Sequence, residues 1–200
     1  MTKPRVVLAS GSAIRAKILS DAGLTFDIIK PDVDEGAIKD AQSHKPLQDV
    51  AMMLAEEKCR AGAALVEDKD AIIIGGDQIL ECGGKGFDKP RSMTEAFERI
   101  STLSGQPHRL INATATMRGG EVVWRHIETP ALFMRALTVQ EINAYLEEAG
   151  EGILSSVGAY QIERCGARLF DRIDGDQFAV QGLALLPLLN FLREADALEF

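Results

Sequence analysis

The amino-acid sequence predicts an α/β fold. Three observations carry that prediction: short apolar runs at Val6–Ala9, Phe26–Ile29 and Ala71–Ile74, helical patterns between them, and enough apolar material for a packed interior. With 200 residues and 46% hydrophobic composition, the chain can bury one substantial core or two closely joined lobes without staples.

The first half reads β-α-β-α-β. Its first helix starts behind Ser12 as cap, places Ile14, Ile18, Leu19 and Ala22 on one face, and ends at Gly23. A longer helix covers Leu47 to Val66, and its apolar stripe is Val50, Leu54, Ala61 and Leu65. A turn at Gly83-Gly84 leads to a helix over Thr94–Leu103. A hairpin follows from Arg109 to Met134, turning at Gly119-Gly120, and then a helix over Thr138–Glu148. The final helix holds Leu183–Arg193; it is interrupted by Pro187 and too short to span a bilayer. No repeat, low-complexity tract or Pro/Ser-rich linker occurs, so two lobes are expected to share their core rather than hang on a tether.

Charge and cysteine usage narrow the function. A formal net charge of −8 with no basic stripe argues against nucleic acid as partner. A small anion remains compatible if cations or a metal gather locally. The three cysteines, Cys59, Cys82 and Cys165, form no C-x-x-C pair and suggest neither a disulfide framework nor a thiolate zinc site. His44, His108 and His126 lack ligand spacing. The apolar stretch Val6–Ala9 is too short for a secretory signal, so a cytoplasmic protein that neither enters nor crosses a membrane is expected.

Several residues can carry chemistry. Ser10-Gly11-Ser12 ends a strand and opens a helix, where N–H groups and hydroxyls converge on an anion, and Arg15 lies one turn on. An ordinary capped turn is the plain alternative, and no Walker or G-x-G-x-x-G string is present. Lys58 falls on the apolar stripe of the long helix, where it either snorkels to solvent or reaches an anion in a cleft. Asp77 follows Ala71–Ile74 and two glycines, which permit close backbone approach. Pro31–Gly36 is an acidic loop with Glu35 among its hard oxygen donors, suited to magnesium or manganese or simply solvated. Lys89, held extended by Pro90, can point back toward Asp77.

In order, LASGSAIRAKIL, Asp34-Glu35, AEEKCRA, IIGGDQIL, FDKP, LSGQPHRL, SVGAYQIE and IDGDQFAVQGLALLPLL resemble the Maf family of nucleotide pyrophosphatases over nearly the whole chain. The resemblance implies one domain over residues 1–200, two-lobed and α/β, with a mixed, highly curved central sheet and a cleft between the lobes. It implies hydrolysis of nucleoside triphosphates to monophosphate and pyrophosphate with a divalent metal, Mg or Mn, and a homodimer as a common state. Carried over by residue, it implies an anion loop of Ser10, Ser12 and Arg15, acidic residues Glu35 and Asp77 that also hold the metal, and catalytic lysines Lys58 and Lys89. The chain departs at Ser12-Ala13-Ile14-Arg15, where Ser-Pro-Arg-Arg is common, and at Ser155-Ser156-Val157-Gly158, where Asp-Lys-Ala-Gly is common.

Base selection is expected at Ile14, Gln78 and Glu163, where the chain is similar to the 7-methyl-GTP subgroup rather than the thymidine and uridine one. An ionised carboxylate accepts two parallel hydrogen bonds from guanine, which thymine does not supply. A nucleotide-binding regulator of cell division or septum formation is the rival class.

Overall fold

The computed structural model describes residues 3–200. In chain order the elements of the first half are β1 (Val6–Ala9), α1 (Ala13–Asp21), β2 (Asp27–Ile29), α2 (Glu35–Ala41), α3 (Leu47–Ala63), β3 (Ile72–Cys82) and β4 (Lys85–Phe87). There follow α4 (Met93–Leu103), β5 (Pro107–Arg118), β6 (Glu121–Glu128), β7 (Ala131–Met134), α5 (Val139–Ala149), β8 (Phe170–Asp174), α6 (Gln177–Gln181) and α7 (Leu185–Glu194). The hydrogen-bonded strand order is β2-β1-β3-β5-β7-β8, with β4 beside β3 and β6 beside β5. It is a mixed α/β fold: β2, β1 and β3 run parallel, while β4 runs antiparallel to β3, β6 and β7 to β5, and β8 to β7.

The chain divides into two compact units. One takes residues up to Asp77, Asn112–Glu128 and Gly182–Phe200; the other takes Gln78–Ile111 and Thr129–Gln181. In the first, Val6 and Leu8 of β1 and Ile72 and Ile74 of β3 pack with Ile18 and Leu19 of α1 and Leu185, Leu188 and Leu192 of α7. In the second, Leu80, Leu110 and Leu132 from three strands pack with Ile100 and Leu103 of α4 and Ile142 and Leu146 of α5. Each unit has its own apolar cluster, and β3, 11 residues long, contributes Ile72 and Ile74 to one and Leu80 to the other.

Sequence signals place many element ends correctly. Ser12 caps α1 and accepts from the Arg15 N–H, and Thr138 caps α5 through a full capping box with Glu141. Gly119 and Gly120, at φ of 63° and 86°, turn β5 into β6 as the hairpin reading requires. Three readings need correction. The expected two-stranded hairpin to Met134 is three strands, because after Thr129-Pro130 the chain re-enters as β7 beside the start of β5. Glu35 begins the short helix α2 rather than lying in a loop, since Asp34 accepts from the Ala37 N–H at 2.9 Å and nucleates the turn. The buried face of α3 is Val50, Ala51, Leu54, Ala55, Cys59 and Gly62, whereas Leu65 lies past the helix end and is 63% exposed.

Candidate active site

The first unit builds the site from the ends of β1 and β3. Register pairs Leu8 with Ile74, and β1 ends one residue later at Ala9, so Gly76 and Asp77 of β3 extend past the carboxyl end of their parallel neighbour. Asp77 thus sits within a continuing strand rather than after it. Side chains alternate along β3, so Gly75 and Asp77 face α3 while Gly76 faces α1.

Close packing of α3 depends on Gly75. A Cβ there would overlap the Ala55 carbonyl oxygen and stand 2.7 Å from Cys59 Sγ. That approach brings Lys58 over Asp77: its Nζ donates to Asp77 Oδ1 at 2.8 Å, lies 3.5 Å from the Gly76 carbonyl oxygen, and pairs with Glu35 Oε1 at 2.8 Å. The Lys58 side chain is only 12% exposed, so it is held among carboxylates rather than snorkelling to solvent. The second Asp77 oxygen, Oδ2, is buried and has no hydrogen-bond partner among the described residues. Neighbouring Cys59 is no nucleophile, because burial pushes its thiol pKa up to about 12.

On the other face of β3, Arg15 lies against Gly76, where a Cβ would stand 3.2 Å from Arg15 Nε. Arg15 Nε donates to the Gly182 carbonyl at 2.7 Å and Nη1 to Ser10 Oγ at 3.3 Å, while Ser10 Oγ also accepts from the Ser12 N–H at 3.2 Å. Burial pulls the Arg15 pKa below its usual value, and the charges of Asp77 and Glu35 oppose that shift. Ser10, Ser12, Arg15, Glu35, Lys58 and Asp77 are thereby brought into one constellation of the first unit. Arg15 and Lys58 formally balance Asp77 and Glu35, so a triphosphate entering this set needs further positive charge.

The residues present fit a divalent cation. Among the described residues, no three His, Cys, Asp or Glu side chains group tightly enough to hold a metal alone. Magnesium, however, takes one or two carboxylates together with substrate phosphates, and Glu35 and Asp77 present two carboxylates to the same lysine.

Ile14 of α1 is half-buried against the apolar cluster of the first unit. Three expected site residues belong to the second unit. Gln78 Nε2 donates to the carbonyls of Ala179 and Val180 at 2.9 and 3.2 Å, tethering α6. Lys89 is exposed in the loop after β4, followed by buried Pro90. Glu163 is exposed in a turn. The Gly182 carbonyl was not foreseeable, because it meets Arg15 across 167 residues and a backbone acceptor leaves no mark in the sequence.

The family described as "Maf-like protein" matches residues 5–195, which includes every residue of this constellation. The chain belongs to the Maf family. A relative from Rhizobium meliloti (strain 1021), named 7-methyl-GTP pyrophosphatase, is 44% identical over 98% of this chain and 99% of its own. Another from Hyphomonas neptunium (strain ATCC 15444), named nucleoside triphosphate pyrophosphatase, is 42% identical over 94% of both chains. A solved nucleoside-triphosphatase / dITP/XTP pyrophosphatase from Mycobacterium abscessus covers 95% of this chain and 96% of that chain at 13% identity and a TM-score of 0.39, too slight a likeness to bear on the argument. Among the described residues, no helix is long and apolar enough to cross a membrane.

Proposed function

We propose that this Maf-family protein hydrolyses nucleoside triphosphates to the monophosphate and pyrophosphate. The observation that carries the reading is the division of labour at Asp77: Oδ1 is fixed by Lys58 at 2.8 Å while Oδ2 is a buried acceptor with no partner among the described residues. An acceptor so placed orients a water and takes its proton as the water oxygen bonds to phosphorus and the bridging P–O bond breaks. Arg15 and Lys58 offset charge on the phosphates and the departing pyrophosphate, and the N–H groups of the Ser10–Ser12 loop meet phosphate oxygens. Glu35 and Asp77 would hold a magnesium or manganese ion, which would supply the missing positive charge and polarise the reacting phosphate. No covalent intermediate is needed.

Product analysis tests the reading. Incubation with a panel of canonical and modified triphosphates, with and without added Mg or Mn, is expected to release pyrophosphate only with the metal. Release of inorganic phosphate in its place would make the protein a phosphatase, and tight binding without product would make it a nucleotide-binding regulator.

A narrower substrate, 7-methyl-GTP, is favoured by the name of the relative from Rhizobium meliloti and by the exposed carboxylate of Glu163, an acceptor-only group suited to guanine. With 7-methyl-GTP and dTTP at equal concentration, the parent is expected to consume the former first and Glu163→Gln to shift toward dTTP. Preference for dTTP in the parent removes Glu163 as a base reader. The reading includes a cytoplasmic location, supported by three cysteines that all stand free.

A further inference from the structure

We propose that Asn112, Thr114, His126 and Glu128 form a binding site for a divalent transition cation of the zinc kind, separate from the carboxylates of Glu35 and Asp77. The inference lies within the first unit and does not depend on the pyrophosphatase reading.

Register sets the four residues in a square. On the antiparallel ladder of β5 and β6, Asn112 stands opposite Glu128 and Thr114 opposite His126, and opposed residues share a face with Cβ atoms about 5 Å apart. Their neighbours show which face it is. Arg125 of β6 donates to Glu56 of α3 at 2.6 Å, whereas Trp124 packs on Phe191 of α7 with ring centroids 5.5 Å apart. Side chains alternate along a strand, so the square lies on the α7 side of the sheet. Asp77 meets Lys58 of α3 on the other side. The two sets of ligand atoms therefore occupy opposite faces of one sheet.

The square concentrates polar atoms that have nothing to bond. Asn112 Oδ1 and Nδ2, Thr114 Oγ1, His126 Nε2 and Glu128 Oε2 are buried without a hydrogen-bond partner, five of the eight such side-chain atoms among the described residues. Buried donors and acceptors left unmet are destabilising, and one ion satisfies several at once. Asn112 and Thr114 are fully buried and form the floor, while His126 and Glu128 expose 31% and 33% of their side chains and leave a way in. His126 Nε2 and Glu128 Oε2 stand 3.7 Å apart, too far for a hydrogen bond. That is close to the separation of two ligand atoms on a tetrahedral zinc, about 3.4 Å. Because neither amide atom of Asn112 is engaged, its oxygen can be the one presented. The imidazole tilts this set of donors toward zinc and its neighbours and away from magnesium. Trp124 stacks nearly parallel on the His126 ring, 5.6 Å away, and holds its plane. Spacing among the three histidines gave no sign of the site, since the partner of His126 is a glutamate two residues on along the same strand face.

The test uses the full chain in excess magnesium, with cobalt as the probe and Trp124, the chain's single tryptophan, as the reporter. Cobalt takes the ligands that zinc takes and quenches a nearby indole, which zinc does not. The parent is expected to show saturable quenching that zinc reverses, and to melt at a higher temperature with zinc than without it. His126→Gln and Glu128→Gln, both partly exposed and close in shape to the parent residues, should each weaken cobalt binding by more than about tenfold. Thr114→Val, which removes a neutral donor, should weaken it less. Asp77→Asn should be quenched as the parent is, because Asp77 lies on the other face of the sheet. Quenching that rises linearly with cobalt and never saturates, parental affinity in any of the three variants of the square, or loss of quenching in Asp77→Asn would overturn the proposal.

Discussion

Lys58 pairs with two carboxylates at the same distance, 2.8 Å, and the two pairs are physically unlike. Asp77 stands on a strand buried on both faces and exposes 7% of its side chain, whereas Glu35 exposes 44% and stands on α2, a seven-residue helix with no buried residue. The first pair is desolvated and mechanically fixed; the second is wet and mounted on an element with little packing to hold it. Equal distances therefore conceal unequal stiffness. Asp77 suits the part of a fixed proton acceptor, and Glu35 that of a ligand able to adjust as metal and substrate arrive.

The largest effect expected from breaking this contrast is on catalysis at the fixed member. Asp77→Asn keeps the shape and removes the acceptor, so kcat should fall by about a thousandfold while nucleotide affinity and melting temperature change little. Turnover within a few-fold of the parent would take Asp77 out of the mechanism. Next, Lys58→Met strands the buried Asp77 charge and should destabilise the fold by about 3 kcal/mol, read as a shift in urea midpoint without a change in slope. A cost below about 0.5 kcal/mol, the scale of an exposed pair, would mean that Asp77 is not desolvated as its burial implies.

Gly75→Ala attacks the mounting rather than the charges. By pressing a methyl into the Ala55 carbonyl and Cys59 Sγ it should move α3 off β3, costing roughly 1–3 kcal/mol and lowering turnover together with stability. The smallest effect belongs to Glu35→Gln. Its melting temperature should match the parent while the Mg or Mn concentration for half-maximal rate rises several-fold, and an unchanged metal requirement would end its part as a ligand.

Much of this was legible in the sequence because it depends on local chemistry. The cap at Ser12, the capping box at Thr138 and Glu141 and the glycine turn at Gly119-Gly120 are decided by neighbours a few residues apart. Lys58 was conspicuous as a charge on an apolar helix face, and Asp77 as a carboxylate beside a run of isoleucines. Other features were hidden. Nothing in PDVDEG distinguishes a solvated loop from the first turn of α2, because Asp34 serves either as metal ligand or as cap.

From the sequence alone come the α/β class, the residue types fit for phosphate and metal, and kinship with the Maf family. All follow from periodicity, capping and motif order, which are one-dimensional properties. Packing in three dimensions carries β3 on past Asp77 to Cys82 and lets α3 close over Gly75 until Lys58 locks one oxygen of Asp77 and leaves the other without a partner among the described residues. It also decided that the Gly182 carbonyl holds Arg15 in place. The physical reason is common to these cases. Each is a contact between groups far apart in the chain, fixed by how closely backbones pack, and burial rather than residue type turns those contacts into a site.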